Sequence, residues 1–325
     1  RGVLLLMFIR AALCCLVVFV AGVAPVGAQD IGSLQGQCVA SSPGTASGCA
    51  EAAVAARALM GHIGLLSALG SSVPGAASTL GRRLGNTPRV SVSLRGAGLQ
   101  LRMPDLTDRQ NQPAGELNIF VPTLHGNVAL GLFDGFRLMP TVGGFLSVDF
   151  VGQTSVAFLP RSEGFSGKVS SLGLGARIGI LTESFTLPGI SLSVMRNFHG
   201  TVSFANATLG DPAQVDLDPG TTSYRLTVGK DLLAVGLVAG VGWDSYSANA
   251  SILLNSGTGV IASTADVGAG RKILFGGAAL NFLILQLSAE VGWAQGFEAT
   301  TGYAGAPFDP TKGTIFAGLS ARLTI

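Results

Sequence analysis

The amino-acid sequence predicts an all-β fold: an antiparallel transmembrane β-barrel of about ten strands (eight to twelve left open), behind a short N-terminal helical segment. Three observations lead there. The 325 residues are only 12% charged and include 47 Gly, at a mean hydropathy of +0.52, whereas soluble domains hold roughly 25% charged residues. A helical membrane protein would need several apolar runs of about 20 residues, and the sequence has one, at its N-terminus. Elsewhere apolar residues alternate at period two with Gly, Ser and Thr, as in strands with one face in lipid and one toward a lumen.

The N-terminal run, residues 1–28, reads as a cleaved signal peptide. From Met7, a short start with Arg10 leads into the apolar stretch Ala11 to Ala24. Pro25-Val26-Gly27-Ala28 follows, with Val26 and Ala28 at −3 and −1 before Gln29. An uncleaved anchor helix is the alternative. A lipoprotein reading through Cys14 or Cys15 is weaker, because both lie mid-way through the apolar core. Cleavage takes Arg1 and Arg10 from the 20 Lys+Arg, leaving 18 against 18 Asp+Glu. A neutral chain without a basic run gives no electrostatic reason to expect nucleic acid. Cys38 and Cys49 remain, and in an exported chain they read as a small disulfide loop. Two Cys without nearby His cannot complete a zinc sphere, so no metal is expected.

Residues 29–88 form an N-terminal loop and helix segment, a candidate plug for the barrel of residues 89–325. Residues 29–48 read as a polar loop closed by the bridge. Ala50 to Leu69 reads as a helix, with Val54, Leu59, Ile63 and Leu66 at helical spacing. Gly70-Ser71-Ser72 and Pro74 end it, and 71–88 is a second loop.

The expected strands are 89–103, 116–132, 143–160, 168–181, 190–206, 221–230, 232–252, 271–281, 283–297 and 313–325. Ser170 to Ile180 is the cleanest: Leu172, Leu174, Ala176, Ile178 and Ile180 share one face, and Ser171, Gly173, Gly175, Arg177 and Gly179 the other. Leu146, Val148 and Phe150 against Ser147 and Asp149 repeat the rule. So do Thr222, Tyr224, Leu226 and Val228 against Ser223, Arg225 and Thr227. The least regular stretch is 116–160, where residues 131–136 and Pro140 can hide another turn. Short connections follow strands running one way. Longer polar ones, 104–115, 161–167, 208–220, 253–270 and 298–312, follow strands running the other way.

Residues 233–243 and 283–293 align without gaps at an offset of fifty, each ending on Trp. Trp243 and Trp293, with Tyr246, are expected to form an aromatic girdle at one membrane interface. A soluble β-sandwich with two buried Trp would instead carry charge on its outer face. The lumen face is expected to hold Arg95, Asp149, Arg177, Arg225, Glu290 and Arg322. These charges read as a packed Arg–carboxylate network or, alternatively, as an Arg-rich aqueous path.

The last strand places Ile315, Ala317, Leu319, Ala321, Leu323 and Ile325 opposite Phe316, Gly318, Ser320, Arg322 and Thr324. A chain that stops on such a strand resembles bacterial outer-membrane β-barrel proteins, at class level and with no subfamily singled out. The resemblance covers this strand, the export signal and the loop asymmetry. It departs at Ile325, where that class usually has Phe. It implies the outer membrane of a Gram-negative-type cell, with outer-membrane lipid and the barrel-assembly machinery, acting through 314–325, as partners.

No residue pattern calls for a cofactor or for catalysis. His62 reads as a polar face residue of the helix, His199 as a rim hydrogen-bonding group, and His125, before Gly126, as the mark of a bulge or turn. Asp149, Asp244 and His199 can be assembled into a rim hydrolase, but nothing in their spacing requires it. The first functional reading is a small or plugged channel or carrier for a small or lipid-like solute. The second is a structural or surface-interaction barrel without transport, and a rim-site hydrolase stands third.

Overall fold

The computed structural model describes residues 31–41, 43–82, 87–110, 113–137, 143–184, 187–257, 259–300, 303 and 307–325; the expected signal peptide lies outside them. Two helices come first, α1 (Ile31–Ser41) and α2 (Ala46–Ala68). The strands are β1 (Val90–Pro104), β2 (Glu116–Phe133), β3 (Ser147–Phe158), β4 (Lys168–Leu181), β5 (Gly189–His199), β6 (Val202–Phe204), β7 (Ala213–Leu232), β8 (Val235–Asn255), β9 (Val260–Phe282), β10 (Leu285–Ala294) and β11 (Thr314–Thr324). All pair antiparallel with their neighbours in sequence, except that β5 joins β7 and β6 lies against β7 beyond it. β11 returns to β1 over Ser91–Thr324 to Leu99–Phe316. The result is a closed ten-strand barrel.

The wall has two storeys, legible on β8. From Val235 to Trp243 its exposed residues are Val235, Leu237, Ala239, Val241 and Trp243, with Gly236, Gly240 and Gly242 facing in. Beyond Trp243 the two faces exchange character. Ser245, Ser247, Asn249 and Ser251 face out, and Tyr246, Ala248, Ala250, Ile252 and Leu254 are buried inside. On β1, Val92 and Leu94 give way outside to Gln100 and Arg102, while Leu99, Leu101 and Met103 are buried within. β7 sets exposed Leu226 and Val228 below outward Gln214, Asp216 and Asp218, which alternate with buried Val215 and Leu217. The apolar belt is about nine residues per strand, the length of a tilted membrane strand. The second storey rises clear of lipid, so its outer face is polar and its inner face builds a core.

That exchange corrects several sequence expectations. Residues 208–220 and 253–270, expected as loops, belong largely to β7, β8 and β9, joined at the tip by residues 256–259. Their polar residues are the solvent face of strands that outrun the membrane. Residues 29–48 are not all loop, because α1 forms there and packs along β9. β2 runs unbroken past His125. Register shifts occur instead at Gly131/Phe133 and Gly179/Leu181.

At the rim holding both barrel ends, β7–β8 and β9–β10 are joined by the tight turns Leu233–Ala234 and Leu283–Ile284. Leu233 and Leu283 take φ of 56° and 35° and project fully into the surroundings. Left-handed backbone is uncommon for a bulky residue, and the two turns open the two copies of the fifty-residue echo.

The two storeys make a direct prediction. Ala239→Arg, in the belt, should destabilise the barrel in lipid vesicles by about 2–4 kcal/mol. Ser247→Arg, higher on the same outer face and past Trp243, should change stability by no more than about 0.5 kcal/mol. Equilibrium unfolding of the refolded variants measures both, and equal costs would remove the belt boundary.

Candidate functional site: the lumen plug and its seat

α2 runs down the lumen, buried on every side from Cys49 to Ala68. Cys38 and Cys49 form a disulfide that ties α1 to its first turn. At the top, Gly48 lies against Leu254 at the tip of β8. Arg57 Nη2 donates to the Glu298 carbonyl at 2.7 Å and to Thr300 Oγ1 at 2.5 Å. The Phe297 ring takes the Arg57 guanidinium at 5.6 Å and that of Arg271 at 4.8 Å from its centroid. Each contact is of cation–π type.

Lower down, two glycines of α2 admit wall aromatics. A Cβ on Gly61 would stand 2.1 Å from the Phe297 ring, and one on Gly64 2.4 Å from the Tyr246 ring. His62, expected on a polar face, is buried. Its Nδ1 donates to the Ala58 carbonyl at 2.6 Å, and its Nε2 accepts from Thr314 Oγ1 at 3.2 Å. Arg271 Nη2 in turn donates to Thr314 Oγ1 at 3.1 Å.

The C-terminal end of α2 rests in a polar ring of the wall. Gln153 Nε2 donates to the Ser67 carbonyl at 2.7 Å, supplying a donor of the kind that carbonyls at a helix end lack. His199 Nδ1 donates to the Pro219 carbonyl at 3.0 Å, leaving Nε2 to accept from Ser67 Oγ at 2.7 Å. Ser67 Oγ also lies 2.8 Å from the Gly64 carbonyl, and Ser67 is 3% exposed. The Ser–His contact thus fastens helix to wall.

Past Gly70 the plug continues as an irregular run of turns and bends. Gln286 Nε2 donates to the Gly75 carbonyl at 3.1 Å and Arg177 Nη1 to that of Ala76 at 3.4 Å. Thr79 and Ser147 hydroxyls meet at 2.6 Å, and the Leu80 amide donates to the Asp149 carboxylate at 2.9 Å. Arg82 Nε reaches the Leu132 carbonyl at 2.8 Å, at the opposite rim from Leu254.

The lumen charges sit along this path. Arg177 Nη2 meets Asp149 Oδ2 at 2.6 Å, with both side chains at most 1% exposed. Arg95 Nη2 meets Glu290 Oε1 at 2.6 Å, and Arg225 Nη1 meets Asp244 Oδ1 at 2.5 Å. Tyr246 donates its hydroxyl to Asp244 at 3.2 Å. Arg322 also faces in, with Nε and Nη1 buried and without a hydrogen-bond partner among the described residues. Beside Arg95, Glu290, Pro74 and Gly75 is a cavity of about 10 Å³, roughly the room of one water.

Tyr246 is therefore not in the interface girdle. It is 1% exposed and belongs to the lumen, because it follows Trp243 at an odd spacing and points to the other face. The outward aromatic paired with Trp243 is Tyr224. Trp243 and Trp293 are each 45% exposed on the outer face. Sequence reasoning does not single out Gln153, Ser67 or Arg271 as parts of the seat. The period-two parity that sets Tyr246 inside also puts Gln153 and Arg271 on the inner face, whereas nothing in the helix marks Ser67.

Fold and belt define the class: an antiparallel β-barrel of the outer-membrane type. No family model matches the chain, and no curated protein matches it. Among solved structures it is similar to the translocator domain of the autotransporter NalP from Neisseria meningitidis, at 11% identity and a TM-score of 0.44, over 84% of this chain and 99% of that one. It is also similar to the outer-membrane protease OmpT from Escherichia coli, at 10% identity and a TM-score of 0.39, over 74% and 97%. A third is Neisserial surface protein A, at 8% identity and a TM-score of 0.30, over 72% and 96%. The likeness concerns the barrel fold alone.

Asp149 holds both the Arg177 guanidinium and the Leu80 amide. Asp149→Ala strands a buried cation, and should cost about 3–5 kcal/mol of stability. In denaturant titrations, a loss under about 1 kcal/mol, the size of an ordinary substitution, would mean that the carboxylate does not anchor the plug.

Proposed function

We propose that this protein is a closed outer-membrane barrel, sealed by its own N-terminal segment, that serves as a structural or surface-interaction protein rather than as an open channel. The observation that carries the reading is the continuous filling of the lumen from Ala50 to Arg82, apolar above and hydrogen-bonded below. A channel or carrier for a small or lipid-like solute would require that whole segment to leave. For a rim hydrolase, the Ser67–His199 contact has the right atoms, but the serine is enclosed between helix and wall.

The rim with both barrel ends and the two tight turns is the periplasmic one in this reading. The rim with connections 105–115, 159–167 and 295–313 and the raised β7–β9 wall is external. Short periplasmic turns and long external loops are the usual asymmetry of such barrels. Export through residues 1–28 and assembly through 314–325 belong to the same proposal. Its direct check is the mass of the mature protein, expected to begin at Gln29.

Planar-bilayer recording of the refolded protein tests closure. The expected result is no steady current over the range in which open porins conduct. Ohmic channels from the intact chain would overturn the closed reading.

A further inference from the structure

The chain enters the lumen from the end opposite to the one where its barrel begins. α2 starts beside Leu254, Glu298 and Thr300, and its first turn is bridged to α1. Leu254 pairs with Ile261 at the tip of the tallest hairpin, well beyond Trp243. Ile31, Leu34 and Cys38 of α1 are buried in the apolar cluster that includes Val215, Ile252, Leu254 and Val267 of that raised wall. From there the chain descends through the seat at Gln153 and His199, passes Asp149, and reaches Leu132 and Asp134 at the far rim. Arg82 bonds to both of these residues there. β1 then climbs back as a wall strand, beginning at Val90 opposite Leu130.

We infer that residues 31–48 form an extracellular, disulfide-tied hairpin, and that the chain crosses the membrane once inside the lumen before its first barrel strand. The inference rests on the orientation proposed above. It is independent of whether the barrel ever conducts. The burial pattern fits: α1 hides Ile31, Leu34 and Cys38 against the wall and exposes Gly32, Gly36, Gln37, Ala40 and Ser41, an uncharged face of small and polar residues. A second constraint points the same way. Helix α2 carries Ser47, Glu51, Arg57, His62 and Ser67 among its 23 residues, all buried from Cys49 on, so no side of it faces water. Once enclosed, with its C-terminal end held at mid-wall by Gln153, its leading end has no exit but the raised mouth. The consequence is a presentation surface: any polypeptide joined ahead of α1, or inserted between α1 and α2, is displayed outside the cell.

The test uses the full chain expressed in a Gram-negative-type outer membrane, with one short epitope inserted at Gly44, at Gly257 or in the Leu233–Ala234 turn. Antibody that cannot cross the membrane is applied to intact and to permeabilised cells. Gly44 is exposed and a side chain there meets open space, so insertion is compatible with the fold. The expected result is that Gly44 and Gly257 are reached on intact cells and 233–234 only after permeabilisation. If Gly257 is reached and Gly44 is not, the orientation stands and the inference fails. If 233–234 is reached and Gly257 is not, the orientation itself is wrong and the inference falls with it. Should the insertion at Gly44 prevent folding, Gly44→Lys is the smaller probe. Residues 31–56 contain no Lys or Arg. Trypsin added to intact cells should then cut there, releasing a fragment visible only after reduction of the Cys38–Cys49 bond. An uncut chain on intact cells that is cut after permeabilisation would overturn the inference.

Discussion

Helix α2 is buried on every side from Cys49 to Ala68, and that enclosure organises the rest of this protein. Lipid could have covered such a helix, but α2 has a disulfide-tied neighbour at one end and a polar seat at the other, and both place it inside the wall. The wall answers with its faces. Where lipid covers the outside, the strands turn Val, Leu and Trp outward and Gly, Ser and ion pairs inward. Where water covers the outside, they turn Ser, Asn, Gln and Asp outward and give Leu99, Leu101, Val215, Ile252 and Leu254 to the core around α1 and α2. The exchange at Trp243 marks the height at which the environment changes, and no strand could satisfy both storeys with a single pattern.

The lower lumen solves a different problem. Residues 72–81 cross membrane depth as an irregular run of turns and bends, outside any helix or strand. Such backbone is tolerated at that depth only inside protein, and each buried polar group needs a partner. Gln286, Arg177 and Asp149 supply those partners from three different strands, β10, β4 and β3, and Ser147 of β3 meets the Thr79 hydroxyl beside them. The Arg177–Asp149 pair is thus more than wall charge neutralising itself. Its carboxylate is shared between a guanidinium and the plug backbone, which makes wall and plug one hydrogen-bonded unit. The hydrogen bonds around Ser67 continue that unit upward into the helix.

Ten strands and the Leu172–Ile180 alternation are legible in the sequence because lipid-facing strands write a two-letter code. The raised storey is not, for a physical reason. Asp216 and Asp218 beside Val215 and Leu217 also alternate, but with the polar residues outward, and polarity in a strand that leaves the membrane resembles that of a loop. Tyr246 joins the girdle by its chemistry, whereas counting by twos from Trp243 sets it inside. The helix α2 is legible from Val54, Leu59, Ile63 and Leu66. α1 is not, because Gly32, Ser33 and Gly36 in its first turns leave little helical signal. The seat is hidden for the opposite reason to the strands. Ser67 and Gln153 are far apart in sequence, and only the descent of α2 to mid-wall brings them together.

Closure of the barrel depends on the same economy of small residues. The first and last wall strands, β1 and β11, meet over Ser91 to Leu99, and backbone pairing alone would leave that seam no different from any other. Arg95 on β1, however, reaches across β11 to Glu290 on β10. The strand it crosses offers Gly318, where an added Cβ would come within 3.0 Å of Arg95 Nε. The glycine is there for space: its backbone is ordinary extended strand. A guanidinium lying over the closing strand clasps three strands at once, on the side where Pro74 and Gly75 of the plug pass. The seam is therefore held from within by the lumen contents. The segment that fills the barrel and the strand that shuts it meet at one ion pair.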